Sequence, residues 1–200
     1  MDDMLKLNHI TLENIEKTHR IEDVSFHFSD TGFISMHGDD ESLMLQLARL
    51  IAGLLVPCSG SITYGEDVIA QFTQEELCRY RSVSTASLFC DFQLLEQRSV
   101  LDNIRMSYDE DEQELDELLK QWGLYGKKET WIEDLDFDDH IRMVLLRILL
   151  RHPGVLVVYP PSTPFSAREW GRMYPLLKKL STRLLVIVIQ DENSYPWSDR

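Results

Sequence analysis

Hydrophobic and polar residues alternate cleanly over Ile21–Phe28, where Val24, Phe26 and Phe28 are separated by Ser25 and His27. A period of two is that of a strand with one covered face, as at an antiparallel edge. Leu5, Leu7, Ile10 and Leu12 give a less regular version of the same pattern. Val155–Tyr159 and Leu184–Ile189 are continuous apolar runs, the form taken by strands buried on both faces of a parallel sheet. Phe33–Met36 is a shorter apolar strand and Ser61–Tyr64 a further one closed by Gly65.

Helical periods fill the spaces between these runs. Ser42–Leu55 is apolar nearly all round, with Gln46 and Arg49 as its polar breaks after Ser42, which predicts a buried helix. Pro57, Ser59 and Gly60 then make a turn. Thr73–Arg81 begins with Thr73 and Glu76 in capping-box spacing. Ser82–Gln97 shows no clear period, and Ser99–Met106 predicts a turn or two of helix. The acidic run Asp109–Glu117 leads into a helix whose stripe is Leu115, Leu118, Leu119 and Trp122, with Gly123 as C-cap. Asp138–His152 predicts a helix stopped by Pro153 and Gly154, and Ser166–Leu180 one kinked at Pro175. Strand and helix alternating from Phe33 onward specify an α/β fold with a mainly parallel core and an antiparallel N-terminal edge.

Composition narrows the function. The 200 residues carry a formal charge of -14. That excess of acid argues against nucleic acid, whose affinity comes from Lys and Arg on phosphates. Cys58, Cys78 and Cys90 are odd in number and include no C-x-x-C pair, as expected of reduced thiols in a cytoplasmic protein. The first residues lack the basic flank and apolar core of a signal peptide, and no apolar run approaches the roughly 18 residues of a membrane span. Work at a membrane therefore implies a partner. The six histidines are scattered, and no pair has metal-site spacing.

The stretch Thr31–Gly60 reads as strand, turn at Gly38 and long apolar helix, which is where a phosphate-binding loop sits in a P-loop protein. The run LARLIAGLLVPCSGSITYGEDV (47–68), with FCDFQLLEQRSVLDNI (89–104), HIRMVLLRILLRHPGVLVV (140–158) and LLVIVIQD (184–191), resembles in order and spacing the nucleotide-binding subunits of ABC transporters. The resemblance covers nearly the whole chain. It implies a P-loop NTPase-like three-layer core with an antiparallel N-terminal β subdomain and a small helical subdomain at about 92–142, in one domain spanning 1–200. It also places the end of the chain about where the family's last strands begin.

The residues at the family's working positions differ. A phosphate loop beginning at Gly38 would have its second glycine, lysine and hydroxyl residue at Leu43, Met44 and Leu45. Asp39, Asp40 and Glu41 stand at the turn instead, able to cap the helix and close its anion site from within. The Q-loop glutamine falls on Cys90. The signature falls on Leu135, Asp136, Phe137, Asp138 and Asp139, of which the leucine alone matches. The Walker B acids fall on Tyr159 and Pro160, the D-loop aspartate on Ser166 and the switch histidine on Gln190. No aromatic in 13–20 can stack on adenine.

These replacements predict a catalytically inactive subunit, not an enzyme, with no cofactor and no metal, acting as scaffold or regulator of a transporter. In the family each ATP lies between one subunit's phosphate loop and the other's signature, so this chain alters both halves of a composite site. The implied partners are a transmembrane permease, received in a groove lined by Asp91, Phe92, Gln93, Leu94 and Leu95, and another cassette subunit or a second copy. The implied location is cytoplasmic, peripheral at the inner face of the plasma membrane. Two alternatives are a free-standing interaction module and a residual nucleotide binder. A divalent cation shared between Asp39–Glu41 and a partner's Asp136, Asp138 or Asp139 is a further reading, against which stands simple helix capping.

Overall fold

The computed structural model describes residues 4–14, 16–89, 94–108, 111–159 and 167–191. Two compact units emerge, Met1–Cys90 with Pro153–Arg200, and Asp91–His152.

The first unit contains two sheets. In one, β1 (Leu5–Glu13) pairs antiparallel with β2 (Arg20–Phe28) on one side and β4 (Ser59–Tyr64) on the other, and β4 pairs with β5 (Asp67–Val68). The irregular spacing of Leu5, Leu7, Ile10 and Leu12 has a physical cause. His9 takes a left-handed φ of 52°, and the β1–β2 register shifts between Leu7 and Ile10. The bulge consumes one residue, so all four side chains still face the core. Gly60 accommodates the bulge from β4: its φ is 90°, and a Cβ there would stand 2.3 Å from the His9 carbonyl oxygen.

The second sheet is parallel, in the order β3 (Gly32–Gly38), β8 (Leu185–Asp191), β7 (Val155–Val158), β6 (Thr85–Leu88). β7 is buried at every position, as its unbroken apolar run requires. α1 (Glu41–Ile51) buries Leu43, Met44, Leu47, Ala48, Leu50 and Ile51. It is shorter than the predicted Ser42–Leu55. Gly53 turns left-handed at a φ of 71°, and Leu54 and Val56 end up exposed. α2 (Gln74–Arg79) has both halves of the Thr73–Glu76 capping box and passes through a wide turn at Tyr80–Ser84 into β6. Tyr80 is buried there and donates from its hydroxyl to the Ile51 carbonyl at 2.9 Å. α6 (Ala167–Leu180) continues past Pro175.

The second unit is helical: α3 (Val100–Arg105), α4 (Glu112–Trp122) and α5 (Phe137–Leu149). Its core gathers Val100, Ile104, Leu115, Leu119, Met143 and Leu146. α4 is capped by Asp111 and ends at Gly123 with a left-handed φ of 73°. α5 lies one residue earlier at its start and three earlier at its end than predicted, because Asp136 caps it and His152 turns left-handed behind it.

Candidate functional site

β3 and α1 are joined by Asp39 and Asp40 alone. Asp40 is the N-cap: its Oδ1 accepts from the Leu43 N–H at 2.9 Å, while its carbonyl accepts from the Met44 N–H at 3.0 Å. The other carboxylate oxygen accepts from the Asn14 side-chain amide at 3.3 Å and meets the His19 Nδ1 at 3.0 Å. The Leu43 N–H, then the His19 and Asn14 hydrogen bonds, hold the Asp40 carboxyl below the usual carboxylate range against the opposing effect of burial. The Leu43 and Met44 N–H groups at the head of α1 are thus engaged within the chain. Asp39 is exposed and makes no hydrogen bond or ion pair among the described residues.

Beside this turn lies a cavity of about 500 Å³. Ile21, Val24 and Phe26 of β2, Met36 of β3, and Leu43 and Leu47 of α1 form its apolar wall. His19, Arg20, His37, Asp39 and Asp40 are its polar lining. Arg20 is ion-paired with Glu22. Met44 closes against the turn: a Cβ on Gly38 would stand 2.7 Å from the Met44 Cε. Leu45 packs, partly buried, against the core. Tyr159, buried at the end of β7, donates its hydroxyl to the Glu41 carbonyl at 3.2 Å. Gln190 is buried and in register with His37. Its Nε2 donates to the His37 Nδ1 at 3.1 Å, while the His37 Nε2 meets the Ser35 hydroxyl at 2.7 Å.

The first unit therefore brings Gly38, Met44, Tyr159 and Gln190 close to the head of α1. Asp136 belongs to the second unit, where it caps α5 through the Asp139 N–H at 2.9 Å. Leu94 packs on that unit's core and Leu95 is 44% exposed. Cys90, Asp91, Phe92, Gln93, Pro160 and Ser166 lie outside the described residues. Sequence reasoning missed the role of Asp139: its buried carboxylate holds Lys127 and, at 3.0 Å, Arg142. The Arg142 spacing of three was available as a signal; the Lys127 contact, from a turn twelve residues back, was not. Among the described residues, no three His, Cys, Asp or Glu side chains gather as a metal site, and no helix is long and apolar enough to cross a membrane.

No family model matches the chain. Its fold is nevertheless that of known proteins. CbiO1 from Clostridium perfringens, part of the ABC transporter complex cbiONQ, superposes with a TM-score of 0.75 at 20% identity, over 96% of this chain and 80% of that one. The ATP-binding cassette MJ0796, in its dimeric post-hydrolysis state with ADP and Pi, gives 0.71 at 20% identity over 95% and 88%. The chain has the fold of an ATP-binding cassette. Its relatives are ATP-binding subunits of ABC transporters. The methionine import ATP-binding protein MetN of Vibrio vulnificus is 22% identical over 196 residues, 94% of this chain and 57% of its own length. The lipoprotein-releasing system ATP-binding protein LolD of Desulfotalea psychrophila is 23% identical over 84% of this chain and 77% of its own. The aliphatic sulfonates import ATP-binding protein SsuB 1 of Rhodococcus jostii is 28% identical over 90% and 71%. The cassette described here thus spans little more than half the length of MetN.

These relatives correct two expectations. The sequence predicted a catalytically inactive scaffold or regulator and no enzyme. The relatives are ATP-binding proteins of import and release systems, and they align with this cassette across nearly its whole length. The inference from replaced residues to inactivity therefore fails. Its physical weakness is that a list of replaced residues does not say what the groups that replace them can do. What the structure does specify is local: Asp39 and Asp40 line the cavity together with His19, Arg20 and His37, and Met44 closes beside Gly38.

Proposed function

We propose that the chain is a cassette subunit of an ATP-driven ABC-type transporter, docking on a transmembrane permease at the inner face of the membrane and working beside a second cassette, either another copy or a different chain. The observation that carries this reading is the agreement of fold and relatives: a cassette superposition over 96% of the chain, and alignment over 84–94% of it with the ATP-binding subunits named above. Residues 91–95 are the proposed receiving groove on the permease side. The exposure of Leu95 supports this, as does that of the neighbouring Trp131, whose backbone bridges to Ser99. The compact unit Asp91–His152 supports reading 92–142 as the helical subdomain of one cassette spanning 1–200.

The test is co-expression with the permease of the same transport system. The expected result is co-purification in detergent of a complex containing the chain, weakened by Leu95→Asp, with ATP-dependent transport lost when the chain is omitted. A chain that never associates with the permease, or whose omission leaves transport intact, sinks the reading.

A further inference from the structure

We infer that Asn103 is a positioning residue for the permease-facing groove: its buried side chain grips the backbone at Leu95 and thereby fixes what the groove presents. This inference rests on the reading of residues 91–95 as that groove. Asn103 lies on α3 and is completely buried. Its Oδ1 accepts from the Leu95 N–H at 2.8 Å. Its Nδ2 donates to the Leu95 carbonyl at 3.0 Å and to the Ser99 carbonyl at 3.0 Å. One side-chain amide thus holds both backbone polar groups of a residue eight positions earlier. Capping of α3 does not require this grip, since Ser99 Oγ already accepts from the Asp102 N–H at 3.0 Å. A buried amide without partners is costly, so the backbone at Leu95 is held where it satisfies Asn103.

The same segment is held from its other side. The Val100 N–H donates to the Thr130 carbonyl at 2.9 Å, the Ile132 N–H to that of Arg98 at 3.0 Å, and the Glu133 N–H to that of Glu96 at 3.2 Å. Residues 95–99 and 130–133 therefore form a short ribbon within the second unit, bridged at Ser99 and Trp131. Leu95 and Trp131 are its exposed apolar side chains. Glu96, Glu133 and Asp134 are exposed beside them and outnumber Arg98, which suits the Lys and Arg excess of cytoplasmic loops in membrane proteins. A ribbon whose backbone is already fixed presents Leu95 with little ordering left to lose on docking.

The test combines amide hydrogen exchange on the isolated chain with the affinity of the full chain for the permease of the same transport system in detergent. Wild type is compared with Asn103→Ala, Leu95→Ala and their double variant, and with Asp139→Ala, whose partners in the same unit are Lys127 and Arg142. The wild-type Leu95 amide is expected to exchange at least about tenfold more slowly than an unstructured amide, although its side chain is exposed. Asn103→Ala is expected to release that protection and to weaken permease binding about tenfold or more, while Asp139→Ala leaves binding within about threefold of wild type. The double variant is expected to bind within about threefold of the weaker single variant, as for two residues acting through one contact. Unprotected Leu95 in wild type overturns the inference without recourse to any variant. So do binding by Asn103→Ala within about threefold of wild type, an equal loss in Asp139→Ala, and single losses that multiply in the double variant. Each of these outcomes leaves the permease reading standing, whereas a wild-type chain that binds no permease overturns that reading and this inference together.

Discussion

Replacing Asp40 tests the account of the turn between β3 and α1. Asp40→Ala removes the acceptor for the Leu43 N–H, a loss that costs about 1 kcal/mol at a typical N-cap. It also removes an acceptor from Asn14, which is 8% exposed; its Nδ2 keeps the Thr18 hydroxyl at 3.0 Å, so the added cost is a fraction of a buried unpaired donor, about 0.5–1 kcal/mol. The two together give about 2 kcal/mol, and for a chain of this size a Tm lower by about 4–8 °C. Asp40→Asn keeps a capping oxygen and loses the charge at the positive end of α1, a smaller cost of about 0.3–1 kcal/mol.

The pH dependence has a definite sign. The folded-state pKa of Asp40 is depressed, so its contribution is present above the unfolded value, near 4, and is lost as pH falls through the folded value. Urea titrations of wild type, Asp40→Asn and Asp40→Ala at pH 7 and at steps down to pH 3 read all of this. The expected order at pH 7 is wild type, Asn, Ala, with the gap between wild type and Asn closing as the pH falls below about 4. An alanine variant within about 0.3 kcal/mol of wild type, or an asparagine variant as unstable as alanine, would refute the capping geometry.

Three more outcomes are expected. Gly60→Ala should destabilise by more than about 2 kcal/mol, because the new Cβ meets the His9 backbone at a positive φ, whereas Gly38→Ala should cost under about 1 kcal/mol, because it meets the movable end of Met44; paired thermal melts compare them. Tyr159→Phe should cost about 1 kcal/mol in urea unfolding through loss of the hydroxyl bond to Glu41. Asp139→Ala should destabilise by about 1–3 kcal/mol and raise the amide exchange of α5 and the Tyr125–Lys128 turn, since it leaves Lys127 and Arg142 without their shared buried carboxylate.

What the sequence made legible followed from periodicity. Val24, Phe26 and Phe28 had to lie on one face of a strand, and the runs at 155–158 and 185–190 had to be covered on both faces. Thr73 and Glu76 announced their helix start by spacing alone. Features set by tertiary contact were not legible in this way. β6 has only Thr85, Ala86, Ser87 and Leu88 with which to signal, and it forms because β7 offers it a parallel edge. The bulge at His9 shows in the sequence as a defect of alternation, and only its pairing with Gly60 gives that defect a cause. The acids at 39–41 were read as one group, yet they divide: Asp40 caps, while Asp39 is exposed beside a cavity whose wall is drawn from β2, β3 and α1.

That division explains why fold and site chemistry carry separate information in this cassette. Leu43, Leu47, Leu50 and Ile51 hold α1 in a core shared with Leu5, Leu7, Val157 and Ile187, and none of these side chains depends on what the turn displays. Asp40 gives the helix its cap from within, so the Leu43 N–H needs no bound anion. A scaffold stabilised in this way tolerates exchange of its turn residues without losing the strand and helix that flank them. Likeness to cassettes at 20–28% identity therefore speaks to packing and to the surfaces that packing presents.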